Sequence, residues 1–133
     1  MAYISSYITA LLLFFFVDMV WLSTMVSRLY KPTLGDMMAD PMHIIPAVAF
    51  YLLYPVGLVI FAINPALKNG SISTALILGA MFGLFTYGTY NLTNQATLRN
   101  WSTGLTLTDM GWGCVLGAIT AASAFWVTSK LAS

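Results

Sequence analysis

The chain has 133 residues, of which 59% are hydrophobic and only 7% are charged, whereas a soluble domain carries about 25% charged residues. A soluble protein so poor in charge could not cover its surface with polar groups, so the composition excludes an ordinary soluble domain and favours an integral membrane protein. The net charge of +1 gives no indication of nucleic-acid binding, and a single cysteine, Cys114, excludes an internal disulfide.

Four apolar windows are long enough to span a bilayer, which takes about 20 helical residues. In chain order they cover residues 4–29, 43–63, 71–98 and 106–130. Because short segments connect them, we predict a single transmembrane domain over residues 1–133, an all-α, four-helix antiparallel bundle with both termini on one side. A β-barrel is excluded, since residues 11–17 form an apolar run without the alternation that a barrel strand needs.

The positive charges do not orient this bundle. We call the face predicted to hold both termini side A and the opposite face side B. Side A holds Lys68 and Lys130, and side B holds Arg28, Lys31 and Arg99. The difference is too small for the positive-inside rule to decide which side faces the cytoplasm.

Two pairs of glycines indicate close helix contacts. Gly79 and Gly83 form a G-x-x-x-G pair in the third window, and Gly113 and Gly117 form another in the fourth. Small residues at this spacing let two helices approach closely in lipid. These faces are predicted to pack within the bundle or to join two copies of the chain as a homodimer, and both alternatives stay open.

Asp18 lies in the middle of the first window, between apolar neighbours on both sides. An ionised carboxylate at the centre of a membrane helix costs about 2.5–3.5 kcal/mol on insertion scales. Asp18 is therefore expected to be protonated, paired, or exposed to water. It either holds the first helix to a neighbour by a structural hydrogen bond or binds a proton or a ligand.

The end of the third window carries a polar stripe. Tyr87, Asn91 and Asn94 fall at i, i+4 and i+7, which places them on one helical face. An amide facing lipid would lose hydrogen bonds, so the stripe is predicted to face inward. It either joins helices by hydrogen bonds or lines a pocket.

The fourth window begins near Asp109, whose carboxylate could complement the helix dipole or pair with Arg99. Trp21 and Trp112 each follow an aspartate by three residues and share its face. Tyr51, in the second window, needs a partner for its hydroxyl. His43 with two acids is a weak metal signal, and neither a metal nor a cofactor is predicted.

The depth of the polar groups is the strongest functional signal. Asp18 lies ten residues before Arg28, or about 15 Å from side B at about 1.5 Å per residue. Asn91 and Tyr51 lie about 12 Å from the same side. Polar groups from all four helices thus fall in one half of the membrane. This pattern predicts a polar vestibule that opens to side B and has Asp18 at its floor.

These motifs resemble a bacterial family of four-helix membrane proteins known as DUF2177. The resemblance covers nearly the whole chain and rests on Asp18-x-x-Trp21-Leu22, the segment from Tyr87 to Leu98, Trp101, and Asp109-x-x-Trp112-Gly113. It implies an integral protein of the bacterial inner (cytoplasmic) membrane and brings no established activity. The family pattern often has Asp at the place of Asn91, so this chain carries one intramembrane acid fewer.

Three functions are consistent with the sequence. The first is binding of a membrane lipid, small amphiphile or metabolite by the residues singled out above: Asp18, Trp21, Tyr51, Tyr87, Asn91, Asn94, Asp109 and Trp112. The second is a dimeric proton-coupled transporter that uses Asp18. In this respect the chain resembles the small multidrug exporters, which carry Glu in place of Asp. The third is an intramembrane lipid-modifying enzyme with Asp18 and Asp109 as acid and base. The confinement of polar groups to one half of the membrane favours the first.

Overall fold

The structure is a computed structural model that describes residues 2–38 and 43–132. Every regular element in these residues is helical: α1 (Ala2–Met25), α2 (Lys31–Leu34), α3 (Ile44–Leu58), α4 (Asn64–Asn69), α5 (Ile72–Thr97) and α6 (Thr103–Ala132). Two π-helices, Val26–Tyr30 and Val59–Ile63, join α1 to α2 and α3 to α4, and a 3-10 turn, Gly35–Met37, follows α2.

Four helical stretches are long and apolar enough to cross a membrane, and we call them the first to fourth spans: Tyr3–Met37, Ile44–Asn69, Ile72–Thr97 and Thr103–Leu131. This confirms the predicted all-α class with four membrane helices. The placement of both termini on one side of the membrane stays a prediction.

Each π-helix lies just before a proline. Val26–Tyr30 is followed by Lys31 and Pro32, and Val59–Ile63 is followed by Asn64 and Pro65. Proline lacks an N–H group and its ring collides with the carbonyl four residues earlier, and a wider π turn can absorb this local disruption. The chain therefore stays helical through both prolines, and the first span extends beyond the boundary predicted near residue 29.

The third and fourth spans pack through their glycines. A Cβ atom added to Gly83 would overlap the carbonyl of Gly113, and one added to Gly117 would overlap the carbonyl of Gly79. The two predicted G-x-x-x-G faces thus lie against each other within one chain, and residue numbers run in opposite directions along the two helices. All four glycines are buried in this contact. A homodimer through these faces stays a prediction.

The first span packs against the fourth along most of its length. Near one end, the hydroxyls of Ser6 and Thr128 lie 3.2 Å apart. Further along, Trp112 donates a hydrogen bond to Asp18. Between these two contacts the fully buried side chains of Phe14 and Leu116 fill the space.

The second span is buried along only half of its length. Its later residues Leu58, Val59, Ala62 and Ile63 are buried. Among residues 43–53, by contrast, only Ala47 and Tyr51 are half-buried, and the other side chains are exposed. This earlier half contacts the first span, where the rings of Phe50 and Tyr51 lie 5.8 and 5.4 Å from that of Phe14, and a cleft separates it from the third span.

Candidate functional site

Asp18 lies where three spans meet. Its side chain is only 6% exposed. The hydroxyl of Tyr51 donates to one carboxylate oxygen at 2.5 Å. The indole N–H of Trp112 donates to the other oxygen at 3.2 Å. Both oxygens are thus hydrogen-bonded, one by the second span and one by the fourth.

Asp109, like Asp18, is buried and accepts a hydrogen bond at each carboxylate oxygen. It is 5% exposed, and the amide of Asn91 donates to one of its oxygens at 2.8 Å. The hydroxyl of Tyr30 donates to the other oxygen. Trp21 in turn donates its indole N–H to the hydroxyl of Tyr30 at 2.9 Å. The first, third and fourth spans therefore meet at Asp109.

In each Asp-x-x-Trp motif, the tryptophan interacts with the aspartate of the other motif. Trp112 donates directly to Asp18, which belongs to the other motif, and Trp21 reaches Asp109 through Tyr30. The two indole rings stack with their centroids 4.3 Å apart and their planes within 7°. We call the connected side chains the aspartate–tryptophan network: Asp18, Trp21, Tyr30, Tyr51, Asn91, Asp109 and Trp112.

Tyr30 is the member of this network that the sequence pattern does not select. In a regular α-helix, nine residues make about two and a half turns, so Trp21 and Tyr30 would lie on opposite faces. The π-helix Val26–Tyr30 changes this rotation and lets the two side chains meet. The signal in the sequence is Pro32, because a proline within a helix marks the place where regular geometry is interrupted.

The groups that donate to the two carboxylates are all neutral. Arg99, the predicted partner of Asp109, is exposed, and no ion pair to either aspartate is present within residues 2–38 and 43–132. Nor does Asp109 complement the helix dipole as predicted, because α6 begins at Thr103 and has no acidic residue in its first turn. Among the described residues, both carboxylates are therefore held by neutral hydrogen-bond donors alone.

Asn91 leaves a hydrogen-bond acceptor unused. Its side chain is fully buried, and its amide nitrogen donates to the Tyr87 carbonyl at 2.9 Å and to Asp109. Its amide oxygen has no hydrogen-bond partner among the described residues. A buried acceptor without a donor is costly, so this oxygen lowers the stability of the packed site.

A cavity of about 270 Å³ lies beside the network, and its wall is formed by Phe50, Thr86, Tyr87, Tyr90 and Asp109. Phe50 belongs to the half of the second span that contacts the first span, and the lining residues of the third span face it across the cleft, so the cavity lies in the cleft. Phe50 is 42% exposed and Tyr90 is 56% exposed. These two rings form a rim that faces the surrounding membrane.

The structure brings most of the predicted site residues together. The network contains Asp18, Trp21, Tyr51, Asn91, Asp109 and Trp112. Tyr87 lines the cavity next to it. Asn94 is half-buried and interacts with Tyr90 and not with either acid. A role of these residues in ligand binding stays a prediction. Within the part of the chain that the structure describes, no three His, Cys, Asp or Glu side chains are grouped to hold a metal ion.

Comparisons with known proteins give the family of the chain. No curated protein and no solved structure matches it. The sequence pattern of a family described as predicted membrane proteins, DUF2177, matches residues 3–126. The match covers both Asp-x-x-Trp motifs and all four spans except the end of the last. The chain therefore belongs to the DUF2177 family of predicted membrane proteins.

Proposed function

We propose that this protein binds a small amphiphile or lipid in the cleft between its second and third spans. The polar end of the ligand lies against Asp109, and its apolar chain extends past Phe50 and Tyr90 into the membrane. From the family resemblance, we propose the bacterial inner membrane as the place where this occurs.

The cavity beside Asp109 is the observation that carries this proposal. Ligand sites are typically concave, mostly apolar and aromatic, with a few polar groups that orient the ligand. This cavity fits that description, with aromatic rings from two spans and one carboxylate in its wall. Its volume of about 270 Å³ suits a polar head with the start of a chain better than a whole lipid.

The close packing in the half of the bundle nearer to side A favours ligand binding over transport. Phe14, Leu58 and Leu116 lie closer to side A than the network does, and all three are fully buried. A transporter needs a pathway to both sides, and this packed layer separates the cleft from side A. An enzyme using both aspartates fits less well, because the cavity wall contains Asp109 but not Asp18.

Filling the cavity tests the proposal. Phe at position 86 would occupy much of the cavity, so we expect Thr86→Phe to weaken amphiphile binding about tenfold or more, a loss of about 1.4 kcal/mol. The probes are dodecanol, dodecylamine and dodecanoate, each titrated into the purified protein in detergent. Native mass spectrometry counts the molecules bound per chain.

Thr89→Phe is the matched control. Thr86 and Thr89 both donate their hydroxyls to the carbonyl four residues earlier, at 2.8 and 2.6 Å, but Thr89 is exposed and lies outside this cavity. We expect Thr89→Phe to bind like the wild type. If none of the three probes binds the wild type at a ratio of one per chain, or if both variants bind equally well, the proposal is wrong.

A further inference from the structure

No positively charged side chain contacts either aspartate of the site among the described residues. Asp18 and Asp109 lie in one connected network, and each accepts hydrogen bonds from neutral groups only. The chain supplies no cation to this network within its described residues. An ionised carboxylate in such surroundings is strongly stabilised by a positive charge, so a ligand that brings one gains binding energy from Asp109.

The cavity wall has a second feature that favours cations. Phe50, Tyr87 and Tyr90 place three aromatic rings around the same space as the Asp109 carboxylate. The face of an aromatic ring attracts ammonium groups, most strongly where water is excluded. Aromatic walls with one carboxylate are a combination that recognises organic cations, whereas an anionic head would face Asp109 directly.

Hydrogen bonding to Asp109 narrows the ligand class further. A carboxylate accepts hydrogen bonds at both oxygens, and a primary ammonium has three N–H donors. A quaternary ammonium has the charge but no donor, so it would attract Asp109 without a hydrogen bond.

We infer that the ligand of this cavity is an amphiphile with a protonated amine at its polar end. The inference rests on the proposed function, because it names the ligand class for the same cavity. The amine is recognised by the Asp109 carboxylate and the rings of Phe50, Tyr87 and Tyr90. Its source is either a simple long-chain amine or a lipid with an amine headgroup.

Probes that share a twelve-carbon chain and differ at the head test the inference. We expect dodecylamine to bind the wild type at least tenfold more tightly than dodecanol at pH 8, with dodecyltrimethylammonium between them and dodecanoate weakest. A lysophosphatidylethanolamine with the same chain distinguishes the two sources. If it displaces dodecylamine, the source is an amine-headed lipid, and if it does not, the source is a simple amine.

Substitutions in the cavity wall test which side chains cause the preference for the amine. Asp109→Asn keeps the size of the side chain and removes its charge, so the preference for dodecylamine over dodecanol should fall from at least tenfold to about equal binding. Phe50→Leu, at an exposed rim position, should lower the preference for dodecylamine and dodecyltrimethylammonium over dodecanol several-fold. Asp36→Asn, a neutralised acid that is exposed outside the cavity, should bind like the wild type.

The outcomes separate this inference from the proposed function. If dodecanol and dodecylamine bind the wild type equally, or if Asp109→Asn keeps the preference for the amine, the ligand class is wrong and amphiphile binding still stands. If Phe50→Leu weakens dodecanol as much as dodecylamine, the aromatic contribution to cation recognition is refuted. If no probe binds the wild type, both proposals fail together.

Discussion

Trp112→Ala is expected to lower the free energy of unfolding by about 3 kcal/mol, the lower end of the range for removing a large buried aromatic side chain, because Trp112 is half-buried. Trp112 stacks on Trp21 and donates its N–H to Asp18. Its loss removes the stack, opens a space between the first and fourth spans, and leaves one Asp18 oxygen without its donor. Reversible unfolding of the purified protein in mixed micelles, followed by circular dichroism, measures the change.

Trp126→Ala is the control for this variant. Trp126 lies on the same helix, but its side chain is 55% exposed, and its ring contact in the structure is with the Lys130 ammonium at 5.7 Å. We expect this variant to lose about 1 kcal/mol at most, the value of an exposed cation–π contact. Equal losses for the two variants would show that the stacked pair contributes no more than an indole at the membrane surface.

Gly83→Ala is the second large effect that we expect. The added methyl group would overlap the Gly113 carbonyl, which is backbone and cannot rotate away. The third and fourth spans would have to separate along the contact that also holds Gly79 and Gly117. Overpacking of this kind costs about 1–3 kcal/mol, and the rigid neighbour places this variant near the upper limit. The same unfolding measurement applies.

Gly111→Ala supplies the matched comparison. It makes the same chemical change on the fourth span, at an exposed position where no atom lies within 4 Å of the added carbon. Replacing a helical glycine by alanine stabilises a helix by about 0.5–1 kcal/mol. We therefore expect Gly111→Ala to keep or raise stability. A Gly83→Ala protein as stable as Gly111→Ala would contradict the packing of the two glycine faces.

Much of the fold could be predicted from the sequence because hydropathy sets the length of membrane helices directly. The glycine pairs also indicated close contacts, since spacing alone places Gly79 and Gly83 on one face. Spacing does not identify the partner of a face, however. That Gly83 lies against Gly113 depends on how the two helices are rotated, which only the three-dimensional packing decides.

The sequence predicted the depth of the site residues in the membrane but not the contacts between them. Counting residues along each helix placed Asp18, Tyr51 and Asn91 at similar depths, and the structure connects them through one network. The interaction of each tryptophan with the aspartate of the other motif could not be derived from the sequence, because a helical wheel describes one helix at a time. Tyr30 was missed since the π-helix before Pro32 departs from the regular geometry on which spacing arguments rest.

The cleft was the least predictable feature. The second span is apolar from Ile44 to Ile63, so its composition does not distinguish the buried half, around Leu58 and Ile63, from the more exposed half, around Phe50. The predicted vestibule had Asp18 at its floor. In the structure, Asp109 lines the cavity and Asp18 does not, although neighbouring helices donate hydrogen bonds to both oxygens of each aspartate.

Photolabelling tests the binding site most directly. Dodecyl probes with a diazirine beside an amine or alcohol head would be activated on the protein in a bilayer, and the labelled residues mapped by mass spectrometry. We predict that label concentrates on Phe50, Thr86, Tyr87 and Tyr90 and is displaced by excess unlabelled probe. Label spread over exposed residues elsewhere, such as Phe61 and Trp126, without displacement would contradict binding in the cleft.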